Sequence, residues 1–375
     1  MEEAELNNDE LRKTVFNLDG NPKVDYFYNK DGLLLKTYGW IVKKALGIVL
    51  LIHGLKGHAR FTYLRANAEV INNNEVLVID NNNYYVYNGS WVEKFNQSGY
   101  SVYALDLQGH GESEGWANLR GHIKRFGDLV DDVIQYMNKI QDEISNDNIN
   151  DDESHDIVIT QKKRLPMYIV GHSMGGNIAL RVLQVLNKAK EKSVSKVEDI
   201  LKYKKNGCVS LSGMVSFEKI AQPGTNLFNY IYLPITHFLS YIAPNMQTMS
   251  ELPYKSFPFI ENLCKVDKYR HNGGITFKYV YELIKAMGAL NDDINYIPKD
   301  IPLLFIHAKD DCICYYKGVK LFYDRINSYN KELYSVENMD HSLTIEPENE
   351  LIVQKIIDWI CSLEKDNKNA IEDQA

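Results

Sequence analysis

The chain has 375 residues, 45% of them hydrophobic and 25% charged, and a formal net charge of −8. That length excludes a mini-protein or a short binding motif, and the apolar content excludes disorder of the chain as a whole. Acidic and basic residues are interspersed along most of the chain, so no clustered basic face is expected and nucleic acid is not an expected partner.

Residues 1–23 open on an acidic stretch, Met1 to Glu5, with no apolar centre. A partly disordered lead-in is expected there, with no secretory signal, transit peptide or myristoylation site. Val24 to Tyr28 and Leu33 to Tyr38 flank the turn signal Asn29-Lys30-Asp31-Gly32, which predicts an antiparallel β-hairpin. Continuous apolar runs follow at Ile48–Ile52, Ser101–Leu105, Met167–Val170, Cys208–Leu211, Leu303–Ile306 and Glu332–Val336. Unbroken runs belong to strands covered on both faces, the environment of a parallel sheet. Three- and four-residue apolar spacing predicts helices over Ile123–Ile140, Asn177–Ala189 and Ile352–Ile360. Strands alternating with helices give the expected class: α/β, a mostly parallel central sheet opened by an antiparallel hairpin.

Three stretches interrupt that rhythm. Residues 66–90 hold Glu75–Asp80 and Tyr84–Tyr87 around three asparagines and read as an inserted hairpin, and 141–164 reads as a polar loop. Residues 213–300 are rich in aromatics and proline, too long for a connection, and read as a helical lid inserted after the sixth strand. The expected organisation is one domain over 24–363 with a flexible tail at 364–375. The five cysteines are odd in number and scattered, which suggests a reducing compartment rather than a disulfide framework. Cys312 and Cys314 could hold a metal only with further ligands that no motif around them supplies, so a structural pair is expected. The longest apolar run, Ala45 to Ile52, is too short to span a bilayer, so a cytoplasmic protein is expected.

Chemistry concentrates in Gly171-His172-Ser173-Met174-Gly175-Gly176, between a predicted strand and a predicted helix. Small residues on either side of Ser173 permit the sharp turn that lifts a serine hydroxyl above a sheet, and the helix start supplies free N–H groups for an oxyanion. A serine needs a base, and the base needs a carboxylate to orient it. Chain order on such a fold is serine, acid, histidine, each at a strand end, which Ser173, Asp311 and His341 satisfy. Asp310 is the rival acid, and Asp340 is expected to point away from its neighbour His341. A second oxyanion donor should come from the loop after Ile48–Ile52, where Gly54 lets the Leu55 N–H face Ser173, beside the N–H of Met174. His53 is expected to act there as a hydrogen-bonding residue rather than as the base. His53, Gly54 and His172 are the expected polar lining of the substrate site. Phe228, Ile231 and Phe238 in the lid are its expected apolar lining.

His53-Gly54-x-x-x-His58-x-Arg60-Phe61, Asp106 to Gly115, Gly171 to Gly176, His307 to Ile313 and Met339-Asp340-His341 together resemble the lysophospholipase and monoacylglycerol lipase branch of the α/β-hydrolases. The blocks recur in family order over about residues 24–363. The resemblance implies an α/β-hydrolase fold and a triad on Ser173, Asp311 and His341. It implies oxyanion donors at Leu55 and Met174, a structural role for Asp106 to Gly115, and no cofactor or metal. The insertions 66–90 and 141–164 depart from the family pattern, and the lid matches it poorly beyond Asp267-Lys268-Tyr269.

The expected function is therefore a serine hydrolase acting on the ester of a single-acyl lipid, with transient contact between the lid and a membrane surface. The alternatives are a carboxylesterase of broad range for short esters and a non-catalytic binding protein on the same scaffold. The second would typically lose a triad member, and none is lost here.

Overall fold

The computed structural model describes residues 20–150, 165–191, 207–217, 223, 225–248 and 254–372, with side chains left aside at 145–150 and 366–372. Eight strands form one sheet: β1 (Lys23–Tyr28), β2 (Leu34–Trp40), β3 (Gly47–Ile52), β4 (Tyr100–Leu105), β5 (Met167–His172), β6 (Gly207–Leu211), β7 (Leu303–Ala308) and β8 (Lys331–Val336). Their order is β1-β2-β4-β3-β5-β6-β7-β8. β1 and β2 pair antiparallel, β2 joins β4 antiparallel, and every pairing from β4 through β8 is parallel. The hairpin turn forms where its sequence signal lies. Asn29 Oδ1 accepts the N–H groups of Asp31 at 3.0 Å and Leu33 at 2.9 Å, and Gly32 supplies the required positive φ of 77°.

The apolar runs are unbroken because both faces of the sheet are covered. Along β3, Ile48, Leu50 and Ile52 pack into one core while Val49 and Leu51 pack into the other. The first core also takes the apolar faces of helices Phe126–Asn150, Met174–Glu191, Phe277–Asp292 and Tyr316–Arg325. The second takes Trp91–Gln97 and Asn349–Glu372. The chain leaves β3 toward β4 on one side and returns as β5 on the other. The loops after β3 and β5 thus diverge at a switch point, where open α/β sheets place their sites. Ile52 is in register with Gly171, which brings those two loops level.

Several boundaries differ from the sequence reading. The helix expected to end at Ile140 continues to Asn150, so the polar loop placed at 141–164 has no loop in its first ten residues. Nothing in Gln141 to Asn150 stops a helix: there is no Pro or Gly, and polar residues are tolerated on an exposed face. The remainder of that loop, and residues 1–19, lie outside the described residues. Within 66–90 the pairing is not Glu75–Asp80 with Tyr84–Tyr87. Ala68–Asn72 pairs with Glu75–Val78, and Arg65–Ala66 pairs with Tyr85–Val86. The expected tail past 363 is helical to Glu372. The lid holds a π-turn Phe228–Tyr232 and helices Leu233–Ile242, Phe259–Val266 and Phe277–Asp292. The last of these is core rather than cover, with Tyr279, Leu283 and Met287 buried against the central helices.

Candidate active site

Ser173 follows β5 at φ 55°, a left-handed conformation that costs a non-glycine residue about 1–2 kcal/mol. Neighbouring glycines make room for it. A Cβ on Gly171 would lie 2.1 Å from the Gly175 carbonyl oxygen, and one on Gly175 would lie 2.2 Å from that of Ile52. The turn is fixed on the β6 side, where the Ser173 N–H donates to the Leu211 carbonyl at 2.9 Å. The Ser173 carbonyl in turn accepts the Met214 N–H at 2.9 Å. The helix Met174–Glu191 begins at the next residue, so the Met174 N–H is one of the free donors of a helix start. Gly54 packs against the serine, since a Cβ there would lie 3.0 Å from Ser173 Cβ, and Leu55 lines the cavity beside it.

The residues expected after β7 and β8 converge on that hydroxyl. His341 Nε2 lies 2.8 Å from Ser173 Oγ, and His341 Nδ1 lies 2.9 and 3.0 Å from the two Asp311 oxygens. Asp311 Oδ1 also accepts the N–H groups of Ile313 at 2.9 Å and Cys314 at 2.7 Å. His307 Nε2 lies 3.2 Å from Oδ2. Burial opposes ionisation of Asp311. The adjoining His341, then the hydrogen bond from His307, outweigh burial and hold the carboxyl well below the usual carboxylate range. For His341 burial also disfavours charge, but Asp311 above all, and more weakly Glu346 and Asp340, raise the imidazole above 6.5. Asp310 is exposed on the turn. Asp340 faces away, its oxygens accepting the Cys312 N–H at 2.8 Å and the Ser256 hydroxyl at 2.7 Å.

Two other histidines are structural. His53 is fully buried, with Nδ1 donating to the Gly54 carbonyl at 2.7 Å and Nε2 accepting the Leu107 N–H at 3.0 Å; burial lowers it to about 3. It lies behind the oxyanion loop and does not line the cavity, which corrects its expected place in the substrate lining. His172 does line it, and its Nε2 donates to the His341 carbonyl at 3.0 Å. The Asp106 to Gly115 loop has the structural role expected of it. Asp106 accepts from the Tyr38 hydroxyl and from the N–H groups of Ala59 and Glu112.

One residue invisible to motif reasoning is Glu346. Its two oxygens accept the N–H groups of Asp340 and Ser342, each at 2.6 Å, so one buried carboxylate brackets His341 from both sides. Burial raises that carboxyl to about 7. Five residues past a candidate base, with no repeat or motif around it, it gave the sequence reading no signal.

The cavity over Ser173 measures about 40 Å³ and is partly open to solvent. Gly54, Leu55, Phe61, His172, Tyr254, Ile260, Arg270, His341, Ser342, Thr344 and Ile345 are among its walls, and among the described residues no carboxylate is. The expected apolar lining does not form. Phe228 is buried in the central core near Gly288, while Ile231 (46% exposed) and Phe238 (61%) face solvent. The lid helix carrying them packs its other side on Phe277–Asp292, so their apolar faces are left outward. A second cavity of about 240 Å³ shares Phe61, Thr344 and Ile345 with the first. Its other walls include Ala66, Ala68 and Val70 from the insertion and Phe259 and Leu263 from the lid. His58 ties the same three regions together, with Nε2 3.1 Å from Asp267 of the lid and 3.1 Å from the hydroxyl of Tyr85 in the insertion.

Residues 81–348 match the family model described as serine aminopeptidase, S33. The chain is 25% identical over 349 residues to an uncharacterized abhydrolase domain-containing protein of Dictyostelium discoideum. That alignment covers 91% of this chain but only 29% of the relative. It is 22% identical to phospholipase YtpA of Bacillus subtilis, over 83% of this chain and 93% of the relative. Among solved structures, a soluble variant of monoglyceride lipase from Saccharomyces cerevisiae superposes with a TM-score of 0.65 at 18% identity, covering 91% of this chain and 95% of the other.

Proposed function

The chain belongs to the serine aminopeptidase S33 family of α/β-hydrolases, and from that membership we propose that it cleaves the carboxylic ester of a single-acyl lipid, a lysophospholipid or a monoacylglycerol. The observation that carries the reading is the continuous hydrogen-bonded line from Asp311 through His341 to Ser173 Oγ, opening onto a cavity. Ser173 Oγ attacks the ester carbonyl while His341 Nε2 takes its proton. The N–H groups of Leu55 and Met174 hold the oxyanion, and His341 returns the proton to the leaving alcohol. Water activated by the same nitrogen then releases the fatty acid from Ser173. Asp311 keeps Nδ1 protonated and stabilises the imidazolium.

An ester suits the cavity better than the amino end of a peptide does. An α-ammonium group needs a negative partner, and among the described residues no carboxylate lines the cavity. The groove next to it, walled mostly by apolar side chains with Arg65 and Glu350 among the polar ones, supports a lipid, because each methylene buried there contributes about 0.8 kcal/mol. The phospholipase name of the Bacillus relative agrees with this reading. Purified protein is expected to hydrolyse dodecanoyl esters with a higher kcat/KM than acetyl esters. Ala68→Trp, which fills the groove from an exposed hairpin, should cut the dodecanoyl value about tenfold and leave the acetyl value within twofold. A rate falling steadily from acetyl to palmitoyl would instead assign a broad-range carboxylesterase.

The lid supports contact with a membrane surface. Leu227, Ile231, Ile235, Phe238 and Ile242 recur at three- and four-residue spacing and are each at least 40% exposed, a patch larger than isolated surface residues form. No helix among the described residues is long and apolar enough to cross a membrane. Replacing Ile235 and Phe238 together by Asp is expected to abolish co-sedimentation with phosphatidylcholine vesicles while hydrolysis of a dissolved acetyl ester stays within twofold. Equal co-sedimentation of variant and wild type would remove the lid from the contact.

A further inference from the structure

Among the described residues lining the cavity over Ser173, Arg270 is the one charged side chain apart from His341. It is only 8% exposed. Its guanidinium donates to two neutral acceptors, Asn272 Oδ1 and the hydroxyl of Tyr254 at 3.1 Å. Among the described residues no carboxylate lies within ion-pairing distance of it. The nearest candidate in sequence, Asp267, spends its oxygens on His58, on the Tyr85 hydroxyl and on the backbone N–H groups of Tyr269 and Arg270. Burial opposes the charge and Tyr254, Cys264 and the more distant Asp267 favour it, but its direct hydrogen-bond partners are neutral, which leaves coordination for an anion. The hydroxyl of Tyr254, itself in the cavity wall, holds one edge of the planar fork. The guanidinium has five N–H donors, of which these two contacts use two.

Resting on the reading of the site as an esterase for single-acyl lipids, we infer that Arg270 is a specificity residue that receives the phosphate of a lysophospholipid head group. In such a lipid the scissile ester and the phosphate are joined through a three-carbon glycerol. An anion carried on the leaving alcohol therefore stays close to the ester held at Ser173. Guanidinium and phosphate match as fork to fork, a match a neutral glycerol head cannot make. The monoacylglycerol would leave the buried cation as it is, and the phosphate-bearing lipid would satisfy it. The selectivity arises in binding the head, so it falls on KM and kcat/KM rather than on the acyl transfer itself.

The test compares three substrates, dodecanoyl lysophosphatidic acid, monododecanoylglycerol and phenyl acetate, in wild type, Arg270→Gln and Arg270→Lys. Wild type is expected to prefer the phosphate-bearing lipid. Arg270→Gln should raise its KM and lower its kcat/KM about 10- to 100-fold, the worth of charge-assisted hydrogen bonds, with the two neutral esters within twofold. Arg270→Lys keeps the charge without the fork and should recover part of the loss. Equal losses on all three esters in folded protein would show that Arg270 only supports the loop, and no loss on any would remove it from the site. Glycerol 3-phosphate should inhibit phenyl acetate hydrolysis in wild type and not in Arg270→Gln. Inhibition as strong by inorganic phosphate would mark a free-anion site and overturn the head-group assignment. If wild type cleaves phenyl acetate but neither lipid, the lipid reading of the function has failed, whatever Arg270 does.

Discussion

Ser173→Ala is expected to lower kcat by about a millionfold and to abolish labelling by a fluorophosphonate, with the fold unchanged by circular dichroism. The magnitude follows from how the residue is held. Its hydroxyl lies 2.8 Å from His341 Nε2, at the head of a helix whose first N–H groups have no intrahelical partner. Alanine keeps the left-handed backbone and the oxyanion donors but removes the attacking atom. The nearby Cys314 cannot stand in for it, because burial pushes its thiol well above the ordinary 9.0 and leaves no thiolate to react. The backbone strain at φ 55° also has a functional account: it is borne by a residue whose hydroxyl must project from a tight turn, and the close-packed Gly171 and Gly175 hold it there. A Ser173→Ala protein that still labels would show that another residue is the nucleophile.

The residues that converge at this site were legible because strand ends are legible. Ser173 and Asp311 each lie just past an unbroken apolar run, His341 follows the mixed edge strand Lys331–Val336, and parallel strands bring their C-terminal ends to one edge. The choice between Asp310 and Asp311 was open on sequence because both lie in the same turn. It is decided by a local event, the N–H groups of Ile313 and Cys314 folding back onto Asp311 Oδ1. What sequence did not convey depends on long-range packing. Ile231 and Phe238 are as apolar as any core residue, and only the docking of their helix on Phe277–Asp292 decides that they face outward. The strands of the insertion carry the right β-forming residues, but short, exposed strands specify their partners weakly, and the hairpin closed on Asn73-Asn74 instead of Asn81 to Asn83. Glu346 lies outside every motif block, and Arg270 directly follows the Asp267-Lys268-Tyr269 block without being part of it. Their significance lies in being buried, which composition cannot show.

Asp311→Asn is expected to lower kcat by about 10,000-fold, the cost of losing the orienting carboxylate in such a triad, while Asp310→Asn stays within twofold. The asparagine oxygen can keep the N–H groups of Ile313 and Cys314, which both go to Oδ1. Its amide nitrogen then faces His341 Nδ1 and can only donate. The imidazole must accept on Nδ1 and carry its proton on Nε2, where it can no longer take one from Ser173. The same substitution moves the pH profile in a direction that a merely structural defect would not. His341 works as a base only when neutral, and Asp311 raises it above 6.5, so wild-type kcat/KM should fall on the acid side with a midpoint above that value. Removing the carboxylate removes the principal charge that favours the imidazolium and leaves burial opposing it. The residual activity of Asp311→Asn should therefore persist to lower pH than wild type, even though its plateau is far lower. Measuring kcat/KM from pH 5 to 9 in both proteins reads height and midpoint together. A lowered plateau with an unmoved midpoint would separate Asp311 from His341, and a larger loss in Asp310→Asn would transfer the role to the exposed neighbour.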